Sequence, residues 1–177
     1  PRAICVGRLE WEKGIDRLIE VWRSVHDTHP DWVLDIYGQG MLQHELQQKI
    51  LAENAETYIH LKGSSPDIMY EYLNCSLLVL TSRYEGFPMA LLEAMACGVP
   101  CVTYDCPFGP RSMIENMNNG ILVKEGDKKE MVNQINHLIE NKESRMRMGT
   151  AARTYVLPYS QKNIMDKWDV LFKNCLR

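Results

Sequence analysis

Apolar residues in this chain alternate between two spacings. Nearly unbroken apolar runs occur at Ala3 to Gly7, Trp32 to Tyr37, Tyr58 to Leu61, Leu77 to Leu80, Pro100 to Thr103 and Ile121 to Val123. Short runs of this kind read as strands covered on both faces. Between them, apolar positions recur every three or four residues. Ile15, Leu18, Ile19, Trp22 and Val25 mark one helix, and Leu42, Leu46, Ile50 and Leu51 mark a second. Ser65-Pro66-Asp67 caps a short helix to about Asn74, and Asp127 with Glu130 opens one to about Glu140. A further helix runs from about Glu143 to Tyr155, is broken by Pro158, and is followed by a terminal helix over Gln161 to Cys175. Strands alternating with helices predict an α/β fold, a Rossmann-like doubly wound parallel sheet with helices on both faces and right-handed crossovers.

Ligands of such sheets bind beyond the carboxyl ends of the strands. The residues that matter most are therefore Gly7-Arg8 with Lys13, Gly38-Gln39-Gly40, Lys62-Gly63, Ser82 to Glu85, and Asp105 to Arg111. The stretch Tyr84 to Pro100 is the densest. After the strand ending at Leu80, Gly86 and Pro88 punctuate a turn, and Pro88 fits the first position of a helix running to about Cys97. Gly98 suits its stop. This helix is apolar nearly all round and is expected to be largely buried, which makes Glu93 its odd residue. Two readings stay open. Glu93 pairs with a basic residue inside the fold and Glu85 is a solvated turn residue, or both acids accept hydrogen bonds from ligand hydroxyls. Arg8 and Lys13 share one loop and could converge on one anion; a diphosphate held by both and by a helix N-terminus is the economical reading. Taken singly, each reads equally as a solvated surface charge.

Composition narrows the field. The 177 residues suit one domain spanning 1–177. A net charge of −3 gives no reason to expect nucleic acid or an anionic membrane as partner. No apolar run reaches the roughly 20 residues that span a bilayer. The chain opens on Pro1-Arg2 inside a strand, without a signal peptide, and is expected to be a piece of a longer protein. Six irregularly spaced cysteines, without a Cys-x-x-Cys pair, read as reduced core thiols of a cytoplasmic protein and not as a zinc site. Gly38-Gln39-Gly40 lacks the third glycine of a dinucleotide fingerprint, and neither a Walker A sequence nor a Gly-x-Ser-x-Gly elbow occurs. No Asp-x-Asp pair is present to hold a divalent metal. His60 lies in a strand and reads as a core or edge residue, and His26 and His29 lack a third ligand nearby.

These residues resemble a known family. Val6-Gly7-Arg8-Leu9 with Lys13-Gly14, then Gly38-Gln39-Gly40, then Glu85-Gly86-Phe87-Pro88 with Glu93-Ala94-Met95-Ala96-Cys97-Gly98-Val99-Pro100, and finally Asn119 to Val123, are similar in order to the C-terminal, donor-binding half of group-one (family four) retaining glycosyltransferases of the GT-B architecture. Seven residues separate the two acids, as in that family's two-glutamate signature. The resemblance implies a UDP- or GDP-sugar donor, retention at the anomeric carbon, and no essential metal or other cofactor. It implies that Arg8 and Lys13 bind the diphosphate, and that Gly7, Gly38 and the Gly86-Phe87-Pro88 backbone line the donor pocket. Lys62 would lie near the base and Glu93 would hold the ribose. Glu85 would contact the transferred sugar, which makes it the candidate catalytic residue. Pro107-Phe108-Gly109-Pro110-Arg111 stands where many relatives carry a glycine-rich loop, so Arg111 either touches the sugar or braces the loop. The acceptor, a glycan or lipid-linked sugar, would be held by an N-terminal domain absent here. The resemblance further implies polysaccharide biosynthesis in the cytoplasm, with the full-length protein at most peripheral at the inner membrane face. The alternatives are an epimerase or phosphorylase of the same architecture, or a non-catalytic flavodoxin-like binding domain.

Overall fold

The computed structural model describes residues 1–175. Six strands form one wholly parallel sheet: β1 Arg2–Val6, β2 Val33–Tyr37, β3 Ile59–Gly63, β4 Leu77–Leu80, β5 Cys101–Asp105 and β6 Ile121–Lys124. Their order is β3-β2-β1-β4-β5-β6. The doubly wound sheet read from the sequence is therefore present, with its strands where the apolar runs put them. All four residues of β4 and the central residues of β1 are buried, as expected for strands covered on both faces.

Among the described residues seven α-helices connect and cover the sheet: α1 Ile15–His26, α2 Gln43–Ala52, α3 Ile68–Leu73, α4 Met89–Ala96, α5 Lys128–Glu140, α6 Lys142–Tyr155 and α7 Gln161–Cys175. α1 packs against α2 and α5; α4 packs against α3 and α6. Asp67 and Asp127 cap α3 and α5 through side-chain bonds from the amides of Tyr70 and Glu130, each 3.0 Å. α7 buries none of its residues and packs against the turn at 157–159.

Strand order sets the location of the site. Progression along the sheet runs outward from β1 to β3, then jumps back to β4 beside β1 and runs outward the other way. The loops after β1 and β4 thus diverge to opposite faces and leave a crevice at their carboxyl ends.

Two details of α4 differ from expectation. Pro88 is the capping residue, with ψ 89°, and the helix begins at Met89. The helix is covered on only one side: Leu91, Ala94 and Met95 are buried, while Met89 is 53% exposed and Ala96 is also exposed. Glu93 is therefore half-buried, not enclosed. An all-apolar sequence does not show which flank the neighbouring helices leave uncovered.

Candidate donor-binding site

The loops after β1 and β4 are tied together at several points. Thr81 donates its hydroxyl to the Gly14 carbonyl at 2.8 Å, and a Cβ on Gly14 would lie 2.2 Å from the Thr81 oxygen. Gly14 has φ 62°, so the position requires glycine on two counts. Arg83 grips Asp16 through two bonds, 2.8 and 2.6 Å, and donates to the Trp11 carbonyl at 2.8 Å.

This clamp delivers Lys13 to Glu85. The ammonium nitrogen lies 2.8 and 2.7 Å from the two carboxylate oxygens, and Ser82 donates its hydroxyl to Glu85 Oε1 at 2.7 Å. Glu85 is 6% exposed and Ser82 is 2% exposed. Glu85 is thus not a solvated turn residue. It is a buried carboxylate whose desolvation is offset by an ion pair and a hydroxyl. An ammonium group has three protons, so Lys13 keeps donor capacity beyond its two contacts with Glu85. Burial pushes the Cys5 thiol up to about 12, and burial with the Glu85 charge raises Cys106 to about 11. Neither is a nucleophile at neutral pH.

A second cluster lies across β1 and β2. Gly38, at φ 145°, has its backbone so close to Gly7 that a Cβ would fall 1.8 Å from the Gly7 oxygen. The two loops lie backbone against backbone and form one wall of a cavity of about 290 Å³. Gly7, Arg8, Tyr37, Gly38, Ser65 and Glu93 are among its lining residues. Arg8 is exposed and, among the described residues, makes no salt bridge or side-chain hydrogen bond. Glu93 Oε2 accepts a 3.1 Å bond from the Tyr72 hydroxyl. Tyr72 is fully buried, and burial together with the Glu93 charge raises its phenol, which stays protonated as a donor.

The structure thus brings Lys13 onto Glu85, and groups Gly7, Arg8, Gly38 and Glu93 around one cavity. Lys13 and Arg8 share the loop after β1, but Lys13 is turned to the acid. Gly86 and Phe87 are exposed and Pro88 is buried; a Cβ on Gly86 would meet nothing within 4 Å, so the fold itself does not require glycine there. Lys62 is exposed on β3 and is not among the lining residues. Arg111 grips Asp105 through two 2.8 Å bonds and braces its own loop. Gly109, at φ 66°, presses that loop onto Pro88 and Glu85. Sequence reasoning gave no role to Ser82 or Tyr72. Ser82 stood inside the inspected stretch after β4, and Tyr72 fell within the short helix expected to end near Asn74.

The family model for "Glycosyl transferases group 1" matches residues 1–155. The chain belongs to that family. It is 32% identical to an uncharacterized glycosyltransferase of Haemophilus influenzae, over 93% of this chain and 47% of the relative. It is also 32% identical to the amylovoran biosynthesis glycosyltransferase AmsD of Erwinia amylovora, over 95% of this chain and 47% of AmsD. The chain therefore spans about half the length of these relatives. Among solved structures it is similar to Staphylococcus aureus TarM, crystallised with fondaparinux, α-GlcNAc-glycerol and UDP, at TM-score 0.92 and 31% identity over 97% of this chain and 35% of TarM. It is also similar to the pneumococcal O-GlcNAc transferase GtfA in complex with UDP and GlcNAc, at TM-score 0.91 and 28% identity over 99% of this chain and 36% of GtfA. Fold and family match the GT-B donor-side half expected from the two-glutamate signature. Among the described residues no helix is long and apolar enough to cross a membrane, and no three His, Cys, Asp or Glu side chains are grouped to hold a metal ion.

Proposed function

We propose that this chain is the donor-binding domain of a retaining glycosyltransferase that takes a UDP-sugar and builds a polysaccharide or other glycan. The carrying observation is that each acid of the two-glutamate signature is held by its own hydrogen bonds at the crevice, Glu85 beside Lys13 and Glu93 beside the glycine-walled cavity. Two relatives above a quarter identical were crystallised with UDP, which favours uridine over guanosine.

In this reading Arg8 and the remaining donor capacity of Lys13 neutralise the diphosphate, assisted by the first amides of α4, which have no intrahelical partner. Gly7 and Gly38 let the ligand approach the backbone, and Gly86 does the same where the fold leaves it open. Glu93 accepts from the ribose hydroxyls. Glu85 accepts from the transferred sugar, so it orients the anomeric carbon. Lys62 is assigned to the base end, and Arg111 acts through the loop it braces. With two cations and a helix end supplying positive charge, the domain needs no metal. The acceptor is held by a domain outside residues 1–177. Without that domain, proximity worth roughly 7–11 kcal/mol of a reaction barrier is missing, so the chain binds donor without transferring sugar. A cytoplasmic setting follows from the nucleotide-sugar supply.

Calorimetric titration with UDP, UDP-glucose, UDP-N-acetylglucosamine and GDP-mannose, with and without EDTA, tests this. The expectation is UDP-type binding between about 10 μM and 1 mM, unchanged by chelator. Strict magnesium dependence, or a preference for the guanosine ligand, would reject the corresponding part of the proposal.

A further inference from the structure

We propose that Ser82 and Tyr72 are positioning residues, each aiming one acid at one half of the donor. Ser82 turns Glu85 toward the sugar, and Tyr72 turns Glu93 toward the nucleoside. The inference rests on the donor-binding reading above.

Ser82 shares the loop that carries Glu85 and stands three residues before it, while Tyr72 reaches Glu93 from a different helix. Ser82 lies just beyond β4, and Tyr72 lies on α3, which packs against α4. Both are buried, at 2% and 0% exposure, so neither hydroxyl is aimed at bulk water. Among the described residues, each side-chain hydroxyl makes a single hydrogen bond, and in both cases it goes to an acid of the signature. A buried hydroxyl that finds a carboxylate restricts the rotation of that carboxylate.

The two bonds leave different acceptor capacity behind. Ser82 and one contact of Lys13 occupy Glu85 Oε1, and the other contact occupies Oε2. A carboxylate has about four acceptor positions, so one direction remains for a sugar hydroxyl, and it is fixed by the other three. Glu93 is held through Oε2 alone, and Oε1 accepts from no described side chain. That leaves Oε1 for a ligand in the cavity Glu93 lines. Structural hydroxyls would stabilise the fold without telling the two ends of a ligand apart. Positioning hydroxyls should.

The test is calorimetry of the 177-residue chain and three variants, Ser82→Ala, Ser82→Thr and Tyr72→Phe, against UDP, UDP-glucose and UDP-N-acetylglucosamine. Each substitution is small, and thermal melting checks that each protein is folded. For Ser82→Ala, the tighter of the two nucleotide sugars should weaken roughly three- to tenfold, a loss of part of one charge-assisted hydrogen bond, while UDP stays within about twofold. Ser82→Thr, which keeps the hydroxyl, should restore the sugar preference. For Tyr72→Phe, UDP and the nucleotide sugar should weaken by the same factor. Equal losses for both ligands in Ser82→Ala, or a loss confined to the sugar in Tyr72→Phe, would overturn the proposal. So would no change in either. If the unmodified chain binds UDP and these patterns fail, only the positioning roles fall. If it binds no UDP, the donor-binding reading falls and takes them with it.

Discussion

Replacing Lys13 by alanine leaves Glu85 as a buried carboxylate with one hydroxyl partner. Truncating one member of a fully buried ion pair costs about 3–5 kcal/mol, and an exposed pair is worth about 0–1 kcal/mol. Here the side chains of Lys13 and Glu85 are 22% and 7% exposed, so the pair lies nearer the buried limit. Ser82 continues to donate, which trims the loss. We expect Lys13→Ala to cost about 2–3 kcal/mol, or about 4–12 °C of melting temperature for a domain of this size. Glu85→Gln alone should cost less, because the lysine left behind can reach water. Made on top of Lys13→Ala, it should recover stability, since a neutral amide replaces an unpaired charge. Urea denaturation of the four proteins in the cycle gives the coupling, expected to be at least about 1 kcal/mol. Losses that add to within about 0.5 kcal/mol would show that the two groups do not depend on each other, and the account of how Glu85 is kept buried would be wrong.

Gly38→Ala should cost about 2–4 kcal/mol by denaturant midpoint, because a Cβ at φ 145° would fall 1.8 Å from the Gly7 oxygen. Arg111→Ala should leave the denaturant midpoint nearly unchanged, since the guanidinium is 63% exposed and its pair with Asp105 is screened. With a thiol-specific chromogenic reagent at pH 8, Cys175 should react first. Cys5 and Cys75, whose thiols burial pushes up to about 12, should react only on unfolding, as a time course with and without denaturant would show.

Most of the scaffold was legible because each of its signals is local. Leu77 to Leu80 announces a strand covered on both faces, and Asp67 and Asp127 announce helix starts three residues away from the amides they cap. The site was legible as a set of positions, because the carboxyl ends of parallel strands follow from the alternation of elements. Its internal pairing was not. Lys13 and Glu85 are 72 residues apart, and nothing around Glu85, set between Tyr84 and Gly86, marks it as buried. Burial of Glu85 comes from the loops folded over it, and exposure of one side of α4 comes from what its neighbours leave open. Both are tertiary facts. Tyr72 was hidden for a related reason: only its ring is apolar, and the partner of its hydroxyl is on another helix.

The reversal of strand order between β1 and β4 divides the chain into two pieces that meet at a seam. Residues up to Gly63 carry Arg8, Lys13 and Gly38; residues from Leu77 carry Ser82, Glu85 and Glu93. The Lys13–Glu85 pair, the Thr81–Gly14 bond and the Arg83–Asp16 grip all cross that seam, while Ser82–Glu85 and Tyr72–Glu93 lie within the second piece. A cut in the segment Ser64-Ser65-Pro66, exposed at both of its ends, would separate the cations from the acids and leave each piece with half of the recognition chemistry. The site is therefore a product of assembly, completed only when the β1–β4 pairing closes. Regained UDP binding on mixing the two pieces would report that closure directly.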